Sequence, residues 1–192
     1  MREIVRGRTC EVIAAQLAEE ILSGRIPSGE ELRQETVAGL LETSRIPVRE
    51  ALGILESLGL ACRLSTRHVT AYCPEEKELY EIFQVWSGLE CFVLEDAAVR
   101  ERLTAYTEKA ARWHQALASE CKNPYFKKIL TDAARYCISY ACALAGQEAQ
   151  ENVLREILLA ETEQERQRRM RQYFQSLSEH IVRQWKGETE WH

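Results

Sequence analysis

The chain has 192 residues, of which 45% are hydrophobic and 29% charged, with a net charge of −5. That is the make-up of one large or two modest globular domains. Nine glycines and four prolines are too few for the many turns of an all-β fold, no apolar run approaches the ~18 residues of a membrane span, and the acidic balance argues mildly against a nucleic-acid partner, which usually recruits basic domains.

In chain order, the opening MREIVRGRTCEVIAAQL is interrupted by charge, unlike a secretory leader, so a cytoplasmic protein without membrane contact is expected. A first helix is predicted from an N-cap at Thr9 to Ser23, with Ile13, Leu17 and Ile21 as its buried stripe and Gly24 as the stop. A turn at RIPSGEEL leads to a second helix near 31–41, with Leu32, Val37, Leu40 and Leu41 facing inward. A third helix is predicted over 44–58. Ser44 is its cap, Pro47 sits in the first turn where a missing N–H costs nothing, and Val48, Leu52 and Leu55 form the inward stripe.

Residues 61–64 and 68–72 then read as a small hairpin around Ser65-Thr66-Arg67. Three helices and a hairpin within about 70 residues make a winged helix-turn-helix. Beyond Cys73-Pro74 the periodicity is helical throughout, with helices near 75–99, 101–119, 124–145, 149–161 and 163–185. The fold class is therefore mainly α, with a winged helix-turn-helix over 1–73 and an all-α bundle over 74–192.

Residues 1–72 hold nine Arg and ten Glu, so DNA binding must rest on a local patch. Arg45 and Arg49, four apart, share the face of the third helix turned away from the Val48–Leu52–Leu55 stripe. Guanidinium groups there suit the major groove, where each can bond guanine O6 and N7 in a fork or grip a phosphate. Thr43 and Ser44 are candidate phosphate contacts at the helix start, and Arg67 and His68 can reach the backbone or minor groove from the hairpin.

The stretch ILSGRIPSGEEL…LLETSRIPVREALGILESLGL resembles the DNA-binding domain of the GntR family over about residues 9–72. The resemblance implies a winged helix-turn-helix that binds a double-stranded DNA operator as a homodimer, with Ser44, Arg45 and Arg49 at contact positions. It also implies repression as the commoner outcome. Two positions depart from the family pattern. Glu35 stands where relatives often carry a basic or neutral DNA-facing residue, and the hairpin has Arg67 in the region of the usual wing-tip glycine.

ELYEIFQVWSGLE, ARWHQALASECKNPYF, ENVLREILL and MRQYF resemble parts of the FCD effector domain of the FadR-type branch, shortened between Glu90 and Trp113. Many such domains hold a divalent metal with one Asp and three His. Here His114 is present, but Ala110 stands four residues before it, and Glu151 and Tyr173 fall where the other two histidines belong. No metal or cofactor is expected, His114 with Glu151 offering at most a weak divalent site. Trp86 replaces an effector-binding Arg.

An aromatic cavity lined by Trp86, Trp113, His114, Tyr136, Tyr140, Glu151 and Tyr173 is the expected place for a small-molecule effector, although aromatics at helical spacing also simply fill a core. Seven cysteines without a C-x-x-C pair read as small buried hydrophobes, a redox-sensing role for one of them being the alternative. No nucleophile–base set or phosphate loop points to an enzyme. The rival reading is a helical ligand-binding or protein-interaction module whose winged segment no longer reads DNA.

Overall fold

The computed structural model describes residues 2–66, 68–106 and 109–187. The chain divides into two compact units, Met1–Pro74 and Glu75–His192. Among the described residues no helix is long and apolar enough to cross a membrane.

In the first unit, α1 (Arg2–Leu22), α2 (Gln34–Leu40) and α3 (Arg45–Ser57) precede β1 (Ala61–Arg63) and β2 (Val69–Ala71). Ile13, Leu17 and Ile21 of α1 pack with Val48, Leu52 and Leu55 of α3, all six buried, which are the two stripes the spacing predicts. β1 and β2 pair antiparallel, with Ala61 opposite Ala71 and Arg63 opposite Val69. Burying six aliphatic side chains at roughly 1.5–3 kcal/mol each makes this contact the main support of the unit.

Several elements differ from expectation. α1 begins at Arg2, so Thr9 lies inside the helix instead of capping it. α2 starts three residues later than expected, because the chain before it is extended. The Leu32 N–H donates to the Val69 carbonyl at 2.8 Å, the Gly29 N–H to that of Ala71 at 2.8 Å, and Glu31 bridges Thr70. This short edge uses backbone groups that a helix would have turned on itself. Leu32 and Val37 are buried as expected, whereas Leu40 is 78% exposed and Leu41 also reaches the surface.

The second unit holds α4 (Glu76–Val93), α5 (Ala97–Leu103), α6 (Ala110–Glu120), α7 (Pro124–Asp132), a π-helical stretch (Ala133–Ile138), α8 (Ser139–Ala145), α9 (Gln147–Leu159) and α10 (Glu163–Trp185). α4 and α10 lie side by side. The rings of Phe83 and Phe174 meet edge to face at 6.1 Å, and Phe83 contacts Trp86 at 5.0 Å. Such pairs add about 0.5–1.5 kcal/mol beyond their buried area.

The expected single helix over 75–99 is broken. α4 ends at Val93, and Asp96 starts α5 by accepting the Ala98 N–H at 3.0 Å. The expected 101–119 helix is likewise two pieces, α5 and α6. α7 begins as the Asn123-Pro124 signal requires, with Asn123 Oδ1 accepting the N–H groups of Tyr125 at 2.9 Å and Phe126 at 3.3 Å. Asn123→Ala is expected to cost about 1 kcal/mol, seen as a lower urea midpoint with an unchanged m-value.

Candidate functional site

The start of α3 is shaped by its own sequence. Pro47 and Val48 are buried in its first turns, with Ala51 and Leu52 behind them, and this fixes the opposite face as the outward one. Arg45 and Arg49 stand on that outward face, both exposed. Arg45 Nη2 lies 2.9 Å from Glu35 Oε1 across the turn from α2, with the two side chains 62% and 65% exposed. Arg49 has no ion pair among the described residues. Exposed pairs of this kind are worth about 0–1 kcal/mol, so Arg45 is held loosely and remains accessible to a ligand.

Ser44 occupies the N-cap position of α3, but its hydroxyl makes no capping hydrogen bond. It is exposed, and Thr43 beside it is half-buried. Glu42 turns the chain between α2 and α3 at φ 48, a left-handed conformation uncommon outside glycine. His68 is exposed and its Nδ1 meets Glu31 Oε1, while Arg33 Nη2 meets Glu31 Oε2 at 2.8 Å. Arg67 lies outside the described residues.

In the second unit a chain of polar side chains crosses the core. Glu90 of α4 and His114 of α6 are 1% and 0% exposed. Glu90 Oε1 lies 2.7 Å from His114 Nδ1, His114 Nε2 lies 3.1 Å from the Tyr173 hydroxyl of α10, and that hydroxyl donates to Gln150 Oε1 of α9 at 3.2 Å. The Gln150 amide donates onward to the Cys142 carbonyl of α8 at 2.8 Å. Because the tyrosine spends its proton on Gln150, it can only accept from Nε2. One further proton then lies between Nδ1 and Glu90 Oε1, shared by the Glu90–His114 pair.

The electrostatics agree in direction. Burial alone disfavours a charged imidazole, but the charge of Glu90, the Cys142 side chain and the hydrogen bond to Glu90 together outweigh that and hold His114 up at about 10. Burial raises Glu90 above the usual carboxylate range, against the pull of His114, and raises Tyr173 well above the ordinary phenol value. His114 starts near 6.5 in the unfolded chain, so the native protein binds more protons between that value and about 10. The stabilisation is complete below about 6.5 and is lost as pH climbs through the folded value. Glu90, also raised, acts in the same direction. The urea midpoint of the wild type is therefore expected to fall from pH 7 to pH 10 more steeply than that of His114→Gln.

Not every sequence-predicted residue joins this chain. Trp86, Trp113 and Tyr136 are buried, and Tyr140 is half-buried and donates to Gln184. Glu151 is turned outward and pairs with Arg155 at 2.7 Å. Its neighbour Gln150 takes the inward position, a difference of one residue or about 100° of helix. Sequence reasoning passed over Glu90, Cys142 and Gln150. Only Glu90 left a signal, a carboxylate continuing the Leu79–Phe83–Trp86 stripe at a buried phase.

Among the described residues no group of three or more His, Cys, Asp or Glu is placed to hold a metal ion. Both nitrogens of His114 are engaged elsewhere. Burial pushes the thiols of Cys91 up to about 11 and Cys137 up to about 12, which keeps them protonated and poorly reactive.

Beside this chain lies a cavity of about 320 Å³ between α8, α9 and α10. Gln150 and Tyr173 form part of its wall, together with Glu156, Arg169, Gln172 and His180. Of the seven residues expected to line an effector pocket, Tyr173 alone is in that wall. Trp86, Trp113, His114 and Tyr136 are buried in the core outside that wall, and Tyr140 is half-buried outside it.

Residues 9–69 match the family described as bacterial regulatory proteins, gntR family. The gluconate operon transcriptional repressor of Bacillus subtilis is 41% identical over 83 residues, which is 43% of this chain and 34% of that protein. Its Bacillus licheniformis counterpart is 38% identical over 90 residues, 47% of this chain and 37% of that protein. The chain thus spans about a third of the length of the curated relatives it matches.

Two solved structures match nearly end to end. E. coli McbR/YncC has a TM-score of 0.54 at 14% identity, covering 94% of this chain and 99% of that one. Lar, which controls expression of the Listeria monocytogenes agr system, has a TM-score of 0.51 at 18% identity, covering 91% and 96%. At such identity they show the fold alone, a winged helix-turn-helix followed by a helical domain. The N-terminal unit thus carries outward arginines on its third helix within a segment, residues 9–69, that matches the gntR family of bacterial regulatory proteins.

Proposed function

We infer that the chain is a sequence-specific DNA-binding transcriptional regulator, acting by repression and controlled by a small molecule bound in the helical C-terminal unit. The observation that carries this reading is the pair Arg45 and Arg49 on the outward face of α3, within a domain matching a family of regulators. Ser44 and Thr43 beside them, and His68 and Arg67 from the wing, supply phosphate contacts. One unit with two reading arginines binds weakly, so the active species is a homodimer on two half-sites about one helical turn apart. Relatives named as operon repressors support repression.

The effector site is the cavity beside Tyr173 and Gln150. Its wall mixes the Arg169–Glu156 ion pair, amides and a phenol with Ala145, Val153 and Leu177, which suits a small metabolite with both polar and apolar surface. A ligand that takes over the hydrogen bond between Tyr173 and Gln150 would re-set the proton positions back to His114 and Glu90. Coupling to DNA requires only that the ligand prefer one of two arrangements of the unit.

The test is selection from a random duplex library by the purified full-length chain. Enrichment of one sequence with two related half-sites is expected, and a pool with no shared sequence would contradict the reading. A thermal-shift panel of such metabolites, repeated on Tyr173→Phe, then separates ligands of this cavity from ligands bound elsewhere.

A further inference from the structure

Of the guanidinium groups described in residues 9–66, all but one are paired with an acid. Arg45 meets Glu35, Arg33 meets Glu31, Arg63 meets Glu56 at 2.8 Å, and Arg25 meets Glu20 at 2.8 Å. Only Arg49 stands without an ion pair among the described residues. The Arg45–Glu35 pair differs from the others in its position, since it joins the first residue of the reading helix to the first turn of α2. Val37 and Ala38 fix the buried side of α2, and Glu35 is left on the surface.

We propose that Glu35 is a specificity-determining residue that keeps Arg45 from gripping phosphate on unselected DNA. The proposal rests on the DNA-reading function inferred above. A phosphate that draws Arg45 away leaves the Glu35 carboxylate unpaired beside the charge of the duplex, so the ordinary backbone contact loses most of its gain. A base edge does not carry that penalty. In the major groove guanine offers O6 and N7 to the guanidinium, while the amino groups of cytosine and adenine offer donors that a carboxylate can accept. Arg45 and Glu35 together therefore favour a step presenting a guanine beside such a donor. This chain binds random DNA less tightly than a free arginine in the same place would.

Glu35→Gln keeps the size of the side chain and removes its charge at an exposed position, so folding is not at risk. Its affinity is measured by fluorescence anisotropy for the duplex selected by the wild type and for a random duplex of equal length, over roughly 50–200 mM salt. Glu30→Gln, an exposed acid outside this pair, makes the same change in net charge and serves as control. The variant is expected to bind the random duplex several-fold more tightly, with a slope of log K against log salt steeper by about one, the value of one added phosphate contact. Its preference for the selected duplex falls accordingly.

Unchanged random-duplex binding, an equal gain on both duplexes, or an equal effect of Glu30→Gln would each overturn the proposal while leaving the regulatory reading intact. A wild type that prefers no duplex at all overturns both.

Discussion

Replacing Glu90 by leucine is expected to lower the stability of the C-terminal unit by about 3–5 kcal/mol, the usual loss when one member of a buried ion pair is removed. His114 would then either hold a proton on Nδ1 against an apolar surface or release that proton while Nε2 still donates to Tyr173. Leucine fills most of the volume, so a cavity contributes little and the loss reports on the charge. The double change Glu90→Leu with His114→Phe removes both charges. It is expected to be less damaging than Glu90→Leu alone, because no uncompensated group remains near the imidazole site. Urea unfolding followed by tryptophan fluorescence measures all three, Trp86 and Trp113 being buried in this unit. A double variant less stable than the single would mean that the pair contributes through shape instead of charge.

The second large effect is on DNA. Arg45→Ala with Arg49→Ala is expected to lower affinity for the selected duplex by about 30-fold to 10⁴-fold, taking roughly 1–3 kcal/mol for each lost bidentate contact. Both side chains are exposed and Arg45 has only its surface pair with Glu35, so the thermal midpoint should stay within a few degrees of the wild type. The expected signature is a fall in specific affinity much larger than the fall on random DNA. Equal loss on both would reassign the two arginines to phosphate contact.

Much of this was legible from residues alone, because it rests on local periodicity. The stripes Ile13–Leu17–Ile21 and Val48–Leu52–Leu55 set the packing of α1 on α3, and this left Arg45 and Arg49 outside. The break at 94–97 was harder to see. Leu-Glu-Asp-Ala-Ala suits a helix interior by propensity, and only the Asp96 side chain, bonding Ala98 as a cap, reveals the new start.

The polar core was legible in part. His114 and Tyr173 stand out as residue types, but Glu90 becomes reasonable only once His114, 24 positions away, lies against it. Gln150 required the phase of α9 to within one residue, and a helix bounded by Gly146 and Ala160 does not give that from composition. Glu35 was visible as an acid in a DNA-facing place. Its hold on Arg45 depends on the angle between two short helices, which no spacing rule supplies.

The measurement that bears most directly on the outward arginines is guanine N7 methylation interference on the selected duplex. The wild type is expected to exclude DNA methylated at one or two guanines in each half-site. Arg45→Ala and Arg49→Ala should each abolish the exclusion at a different guanine. Interference spread evenly along the duplex, or a pattern unchanged in both variants, would show that α3 does not place these guanidinium groups in the major groove.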